Sequence, residues 1–133
     1  MRYQNITKAR FLQRPNRFIA LVETEAGEER VHVKNTGRCR ELLVPGAAVY
    51  LEEGDRPGRK TRYDLVAVEK GERLINMDAQ APNRVFREWA EVGRFRPGLA
   101  LLRPETTWGS SRFDFYWEAG GERGFVEVKG VTL

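Results

Sequence analysis

Two carboxylates and a lysine near the end of the chain have the types and spacing for phosphodiester chemistry. In the stretch RFDFYWEAGGERGFVEVKG (112–130), Asp114 is followed by Glu127 and, two residues on, by Lys129. Strand alternation would put Asp114, Tyr116 and Glu118 on one face and Phe113, Phe115 and Trp117 on the other. Glu127 and Lys129 would likewise share a face, with Val126 and Val128 opposite. If AGGE (119–122) is a four-residue loop, Glu118 pairs with Arg123, Tyr116 with Phe125, and Asp114 stands across from Glu127. Like charges facing each other at roughly 5 Å cost stability unless a cation lies between them. Mg²⁺ suits such a place, since it takes oxygen ligands, waters and one or two carboxylates, with a substrate phosphate completing the shell. Lys129 would orient or deprotonate the attacking water and stabilise negative charge developing on phosphorus. On local spacing alone, the same three side chains also describe an exposed ion-pair cluster.

These residues need a scaffold, and the chain supplies strands before helices. FIALVETEAG (18–27), EERVHVKN (28–35), AAVYLEEG (47–54) and RYDLVAVEKGERLIN (62–76) read as short strands around turns. Residues 1–76 are therefore expected to form a small antiparallel barrel of five strands, of the kind that binds oligonucleotides. NTGRCRELLVPG (35–46) reads as a loop with a helical turn, and GDRPGRKTR (54–62) as an exposed loop. At MDAQAPNRVFREWAEVGRF (77–95) the period changes to that of a helix, with Asn83 available as its cap. LALL (99–102) follows as a short buried strand or turn, and GSSRFDF leads into the hairpin. The expected fold is thus α+β: an oligonucleotide-binding-like barrel over 1–76, then a helix and hairpin over 77–133.

Composition limits the remaining choices. The chain has 133 residues, 41% hydrophobic and 32% charged, which is globular composition. No stretch is long and apolar enough to span a bilayer and the N-terminus has no signal-peptide core, so the expectation is a cytoplasmic protein with no membrane partner. A single cysteine, Cys39, excludes an internal disulfide, and with one histidine, His32, a metal must be held by oxygen. Both residues have ordinary readings, His32 as a barrel histidine and Cys39 as a structural thiol. The net charge of +4 is uneven: residues 1–62 carry thirteen basic and eight acidic side chains, residues 63–133 ten and eleven. Guanidinium groups match phosphate oxygens, so this basic excess is either a nucleic-acid footprint or a solvated basic face.

The order of motifs adds to these readings. An aspartate, twelve intervening residues and E-x-K, placed after a helix, is similar to the core of PD-(D/E)xK nucleases. RPNRF (14–18), NTGR (35–38), ELLVPG (41–46), RKTRYDL (59–65), NRVFRE (83–88), SRFDF (111–115) and EVKGVTL (127–133) together resemble the sugar fermentation stimulation protein A family along essentially the whole chain. The resemblance implies an oligonucleotide-binding barrel joined to a restriction-endonuclease-like α/β domain, and non-specific DNA or DNA/RNA binding with nuclease-type chemistry. It implies Asp114 and Glu127 as ligands for Mg²⁺ or Mn²⁺, and Lys129 and Glu88 as further catalytic groups, with Glu105 a weaker candidate for the role of Glu88. On spacing alone, Glu88 pairs with Arg84. Arg10, Arg14, Arg17, Arg38, Lys60, Arg62 and Arg112 are the expected nucleic-acid contacts. DNA, RNA and a second copy of the chain are the expected partners. The alternative expectation is a non-catalytic DNA-binding regulator of sugar metabolism of the maltose type. The family continues beyond EVKGVTL, so a partial nuclease-like domain is expected here.

Overall fold

The computed structural model describes residues 1–55 and 57–132. Arg56, inside the loop expected at 54–62, and Leu133, the last residue of EVKGVTL, lie outside the described residues. The chain divides into two compact units, one taking in Arg2–Ala79 and the other Met1 with Gln80–Gly130.

The first unit is built from period-2 strands. β1 (Ile6–Gln13), β2 (Ile19–Thr24), β3 (Gly27–Val33) and β4 (Ala48–Glu53) each turn two small or branched apolar side chains inward: Ala9 and Phe11, Ala20 and Val22, Val31 and Val33, Val49 and Leu51. β5 (Tyr63–Lys70) adds Leu65 and Val68 to the same core, and a short β6 (Arg73–Asn76) pairs with its outer edge. The strands run in the order β3-β2-β1-β4-β5, and parallel pairing of His32 with Asp64 and Val33 with Leu65 joins β3 to β5. That pairing closes a five-stranded barrel, so the core is sealed on every side. Each fully buried Val or Leu contributes about 1.5–3 kcal/mol relative to exposure.

The structure corrects the strand assignment at the start, because β1 is a strand that the reading above does not name. Its outward face mixes Ile6 and Leu12 with Lys8 and Arg10, which blurs the alternation of ITKARFLQ, and a bulge between Phe11 and Gln13 shortens its regular part. The helical turn expected in 35–46 is a single turn: the Leu42 and Leu43 amides donate to the Cys39 carbonyl three and four residues back, and both leucines enter the core.

In the second unit, α1 (Ala81–Glu91) occupies the middle of the stretch 77–95 and begins before Asn83, its expected cap. Residues 77–80 are held elsewhere, with the Met77 amide on Val66 O and the Ala79 amide on Lys34 O. Gln80, not Asn83, is the N-cap, and Pro82 sits in the first turn, where its missing N–H costs nothing. Phe86 packs on Phe115 at 5.1 Å, and Phe95, just past the helix, packs edge-on to Trp117 at 5.8 Å.

The sheet of this unit is β7 (Leu99–Trp108), β8 (Ser111–Ala119) and β9 (Glu122–Val126), in that order. LALL is the start of a ten-residue edge strand, half exposed, rather than a short buried segment. Pro104 and the positive φ of Glu105 (53°) mask it in the sequence, and an edge strand tolerates both. Phe113, beyond the last β8–β9 pair, does not share the packing of Phe115 and Trp117; its ring stacks on Phe125 at 4.4 Å. Of the tryptophans, Trp117 is core whereas Trp108 is 68% exposed. Among the described residues, no helix is long and apolar enough to cross a membrane.

Candidate functional site

The hairpin that carries the acids has the expected register with a tighter turn. Glu118 pairs with Arg123 and Tyr116 with Phe125, but Ala119 also pairs with Glu122, leaving Gly120 and Gly121 as a two-residue loop. Both have positive φ (54° and 84°), the backbone that a tight hairpin of this twist demands and that only glycine adopts freely. The ladder ends at Phe115 and Val126, one position short of Asp114 and Glu127.

At that position a side chain replaces the backbone pairing. Asp114 Oδ2 accepts from the Val128 amide at 2.7 Å, and Oδ1 accepts from Asn83 Nδ2 at 3.3 Å. Asp114 thereby ties the first turn of α1 to the segment that carries Glu127 and Lys129. Gly130 reinforces the contact from the other end. A Cβ there would come within 2.4 Å of Pro82 Cγ, so only glycine lets the chain pass the helix start this closely. The signal for Asn83 was present in the sequence, but its amide serves the aspartate instead of the helix.

Lys129 Nζ donates to Glu127 Oε1 at 2.9 Å, and both side chains are exposed. The lysine pKa is raised above its ordinary value, first by this hydrogen bond, then by the charge of Glu127, with Asp114 adding to it. Lys129 is therefore a fixed cation at neutral pH. That charge suits stabilisation of a phosphate oxygen.

The other acids do not join this pair. Glu88 stands five residues from Asn83, about 140° further round the helix, and accepts from the N-terminal amine of Met1 rather than from Arg84. Glu105 lies between the pairs Pro104–Phe115 and Thr106–Phe113, but its carboxylate goes to Arg112 Nη2 at 3.1 Å. That ion pair also occupies Arg112, an expected phosphate contact. Among the described residues, no three carboxylate, histidine or cysteine side chains gather closely enough to hold a metal. Asp114 and Glu127 are hard oxygen donors fit for Mg²⁺, Mn²⁺ or Ca²⁺, provided water and substrate oxygens supply the remaining ligands.

The barrel presents a second candidate surface. A cleft of about 400 Å³ is lined by Arg17, Arg38 and Arg40 together with Leu12, Asn16 and Thr36. Arg17 stacks over the exposed ring of Phe18 at 5.0 Å. Arg40 is an addition to the sequence reading, which passed over it although it flanks Cys39 as Arg38 does. Arg14 borders the cleft too, but its guanidinium is bound to backbone: Nη1 donates to Gly37 O and Arg38 O, Nη2 to Arg17 O and Asn35 O, at 2.5–2.9 Å. Its Nε is buried without a partner among the described residues. Arg14 is thus a clamp between two loops: both Nη groups are committed to carbonyls, and the remaining Nε–H is buried away from any phosphate in solution.

Elsewhere on the barrel, Arg62 is paired to Glu53 at 3.0 Å, which raises its pKa, and Lys60 is exposed. Arg10 lines a different depression with Lys8 and Glu23. Arg59, which opens the motif RKTRYDL, binds Asp64 at 2.6 Å, and His32 Nδ1 meets the same carboxylate at 3.2 Å. His32 is a barrel-closing residue, in keeping with its ordinary reading.

A closed oligonucleotide-binding barrel followed by a helix and an acid-bearing hairpin defines a class, and comparison with known proteins gives the family. Residues 12–77 match the SfsA N-terminal OB domain and residues 80–133 the sugar fermentation stimulation protein RE domain. The chain belongs to the sugar fermentation stimulation protein family. It is 62% identical over 133 residues to a sugar fermentation stimulation protein homolog of Desulfitobacterium hafniense strain DCB-2, covering 100% of this chain and 58% of that protein. For the homolog in Ruminiclostridium cellulolyticum the identity is 53%, covering 100% and 59%. The structure of Pyrococcus furiosus SfsA in complex with Ca²⁺ superposes with a TM-score of 0.81 at 30% identity, over 96% of this chain and 55% of that one. The chain therefore spans somewhat over half the length of the relatives it matches.

Proposed function

We propose that the barrel binds the phosphate backbone of DNA or RNA, and that Asp114, Glu127 and Lys129 are this chain's share of a metal-dependent phosphodiester-hydrolysing site. The observation that carries the reading is the arginine-lined cleft beside a closed oligonucleotide-binding barrel. Arg17, Arg38 and Arg40 offer guanidinium forks to phosphates without reading bases, which suits binding that ignores sequence. A relative solved with Ca²⁺ fits the oxygen-donor chemistry of Asp114 and Glu127.

In the proposed chemistry, Asp114 is held in place by Val128 and Asn83 and contributes a fixed negative charge. Glu127 would hold the cation together with Asp114, and Lys129 would offer a positive charge to the phosphate oxygens. A bound Mg²⁺ or Mn²⁺ would supply Lewis acidity toward phosphorus and a more acidic water.

A non-catalytic, DNA-binding role in regulating sugar metabolism is the second reading. It is favoured by the engagement of Glu127 with Lys129, which leaves the two as an exposed ion pair. Plasmid DNA and single-stranded RNA incubated with the chain and Mg²⁺ or Mn²⁺, with and without EDTA, separate the two. The hydrolytic reading expects EDTA-sensitive cleavage that Glu127→Ala abolishes while DNA binding persists. Binding without cleavage under every metal condition would leave the regulatory reading standing.

A further inference from the structure

We infer that Arg14 is a positioning residue of the barrel cleft: it binds no phosphate itself but locks two loops together so that Arg17 and Arg38 line the same cleft. This rests on the reading of the cleft as a phosphate-binding surface. The β1–β2 loop runs from Arg14 to Phe18, and residues 34–47 connect β3 to β4. The two are separated by twenty or so positions in sequence, and Arg14 joins them: it reaches across to the carbonyls of Asn35, Gly37 and Arg38 while also holding that of Arg17 in its own loop. Two of these belong to the same residues whose side chains line the cleft, so the clamp acts on their backbone directly. Short local bonds stiffen each loop separately. Asn16 Oδ1 accepts from the Phe18 and Ile19 amides, and Asn35 Oδ1 accepts from Gly37. Without Arg14, each loop keeps its own turn but loses its register against the other.

The planar fork is what makes this possible. A guanidinium directs paired N–H groups along fixed directions, whereas a lysine ammonium keeps the charge but carries only three donors on one atom and cannot span four carbonyls. Arg14→Lys therefore isolates geometry from charge.

The test measures DNA affinity of the whole chain by fluorescence anisotropy across a series of salt concentrations, for the wild type and for Arg14→Lys, Arg17→Ala and Arg38→Ala. Arg14→Lys is expected to weaken binding about tenfold, the equivalent of one lost charge-assisted hydrogen bond, with the slope of log K against log salt unchanged. Arg17→Ala and Arg38→Ala should each reduce that slope by about one, since each removes a phosphate contact. Hydrogen exchange should accelerate at the amides of residues 35–38 in Arg14→Lys and stay slow in β1 to β5.

Wild-type affinity in Arg14→Lys would overturn the inference. So would a reduced slope in an Arg14→Ala variant that Arg14→Lys restores, because Arg14 would then be a phosphate contact. Loss of the barrel strands in Arg14→Lys would overturn it as well, since the clamp would hold the fold and not the cleft. If none of the four proteins binds DNA with salt dependence, it is the phosphate-binding reading itself that fails.

Discussion

The barrel and the hairpin unit use the same strand chemistry to different ends. Closure by the β3–β5 pair lets the barrel bury Val22, Val31, Val49, Leu51 and Leu65 completely. The three-stranded sheet buries only Phe115, Trp117 and Ala119 from its central strand, beneath the aromatic rings of α1 and Phe95, and leaves Trp108, Val85 and Val92 more than half exposed. A sheet closed on itself makes its own interior, whereas an open sheet needs a layer on each face to make one. The barrel therefore holds its cleft on a rigid frame. The acids sit instead at the fraying end of a hairpin, kept in place by Asp114, Asn83 and the close approach of Gly130 to Pro82.

Cavity-forming substitutions test that difference most severely. Leu65→Ala, at a fully buried site of the barrel, should cost about 2–5 kcal/mol in urea unfolding. Trp108→Ala, the larger truncation by volume, should stay within about 0.5 kcal/mol because its ring is mostly in water. A comparable cost for both would mean that the face around Trp108 is covered in the folded protein, and the contrast between the units would disappear.

Much of this was legible in the sequence, for local reasons. Two-residue alternation and clustered β-formers name strands, which is why β2 to β5 and the hairpin register could be read directly. Alternation fails at β1, where apolar Ile6 and Leu12 share the outward face with Lys8 and Arg10 and blur the pattern, and where an edge strand carries Pro104 and a left-handed Glu105. The hairpin register was readable because alternation and turn length together fix which residues pair, and a change from a four- to a two-residue loop leaves Glu118 opposite Arg123 and Tyr116 opposite Phe125. What a side chain binds at long range was not readable. Arg14 resembles any other arginine in a basic segment, and only the fold reveals that four carbonyls converge on it. Glu88 likewise has a helix position in the sequence, but its direction follows from which helix face meets the sheet.

Titration sharpens the same contrast at an intermediate scale. In the barrel unit, partial burial first, then the charge of Asp78 against an opposing hydrogen bond from Asn76, push the Tyr3 hydroxyl up to about 12. The unfolded chain loses this proton near 10 while the folded one retains it, so the unfolded state binds fewer protons between those values. Stability should accordingly fall as pH rises from about 10 to 12. Tyr3→Phe should flatten that part of a plot of Tm against pH. An unchanged slope in the variant would show that the Tyr3–Asp78–Asn76 network opens before the tyrosine ionises.

The smallest effect concerns the hairpin, where an ion pair lies in water and not in a network. Lys129 and Glu127 are both exposed, and such pairs are worth at most about 1 kcal/mol. A divalent cation arriving at Glu127 must displace this weak partner, so Lys129→Ala should raise the affinity for Mn²⁺, though by no more than about fivefold. Removing a like charge from beside the cation acts in the same direction, since Lys129 repels any metal held by Glu127 and Asp114. Isothermal titration of the full chain with Mn²⁺ measures this without relying on cleavage. A tenfold loss of affinity would instead make the lysine part of what holds the carboxylates in place. An unchanged affinity, alongside a loss in Asp114→Ala, would shift the cation away from Glu127 and onto Asp114 alone, and the pairing of the two acids across the hairpin would no longer describe the site.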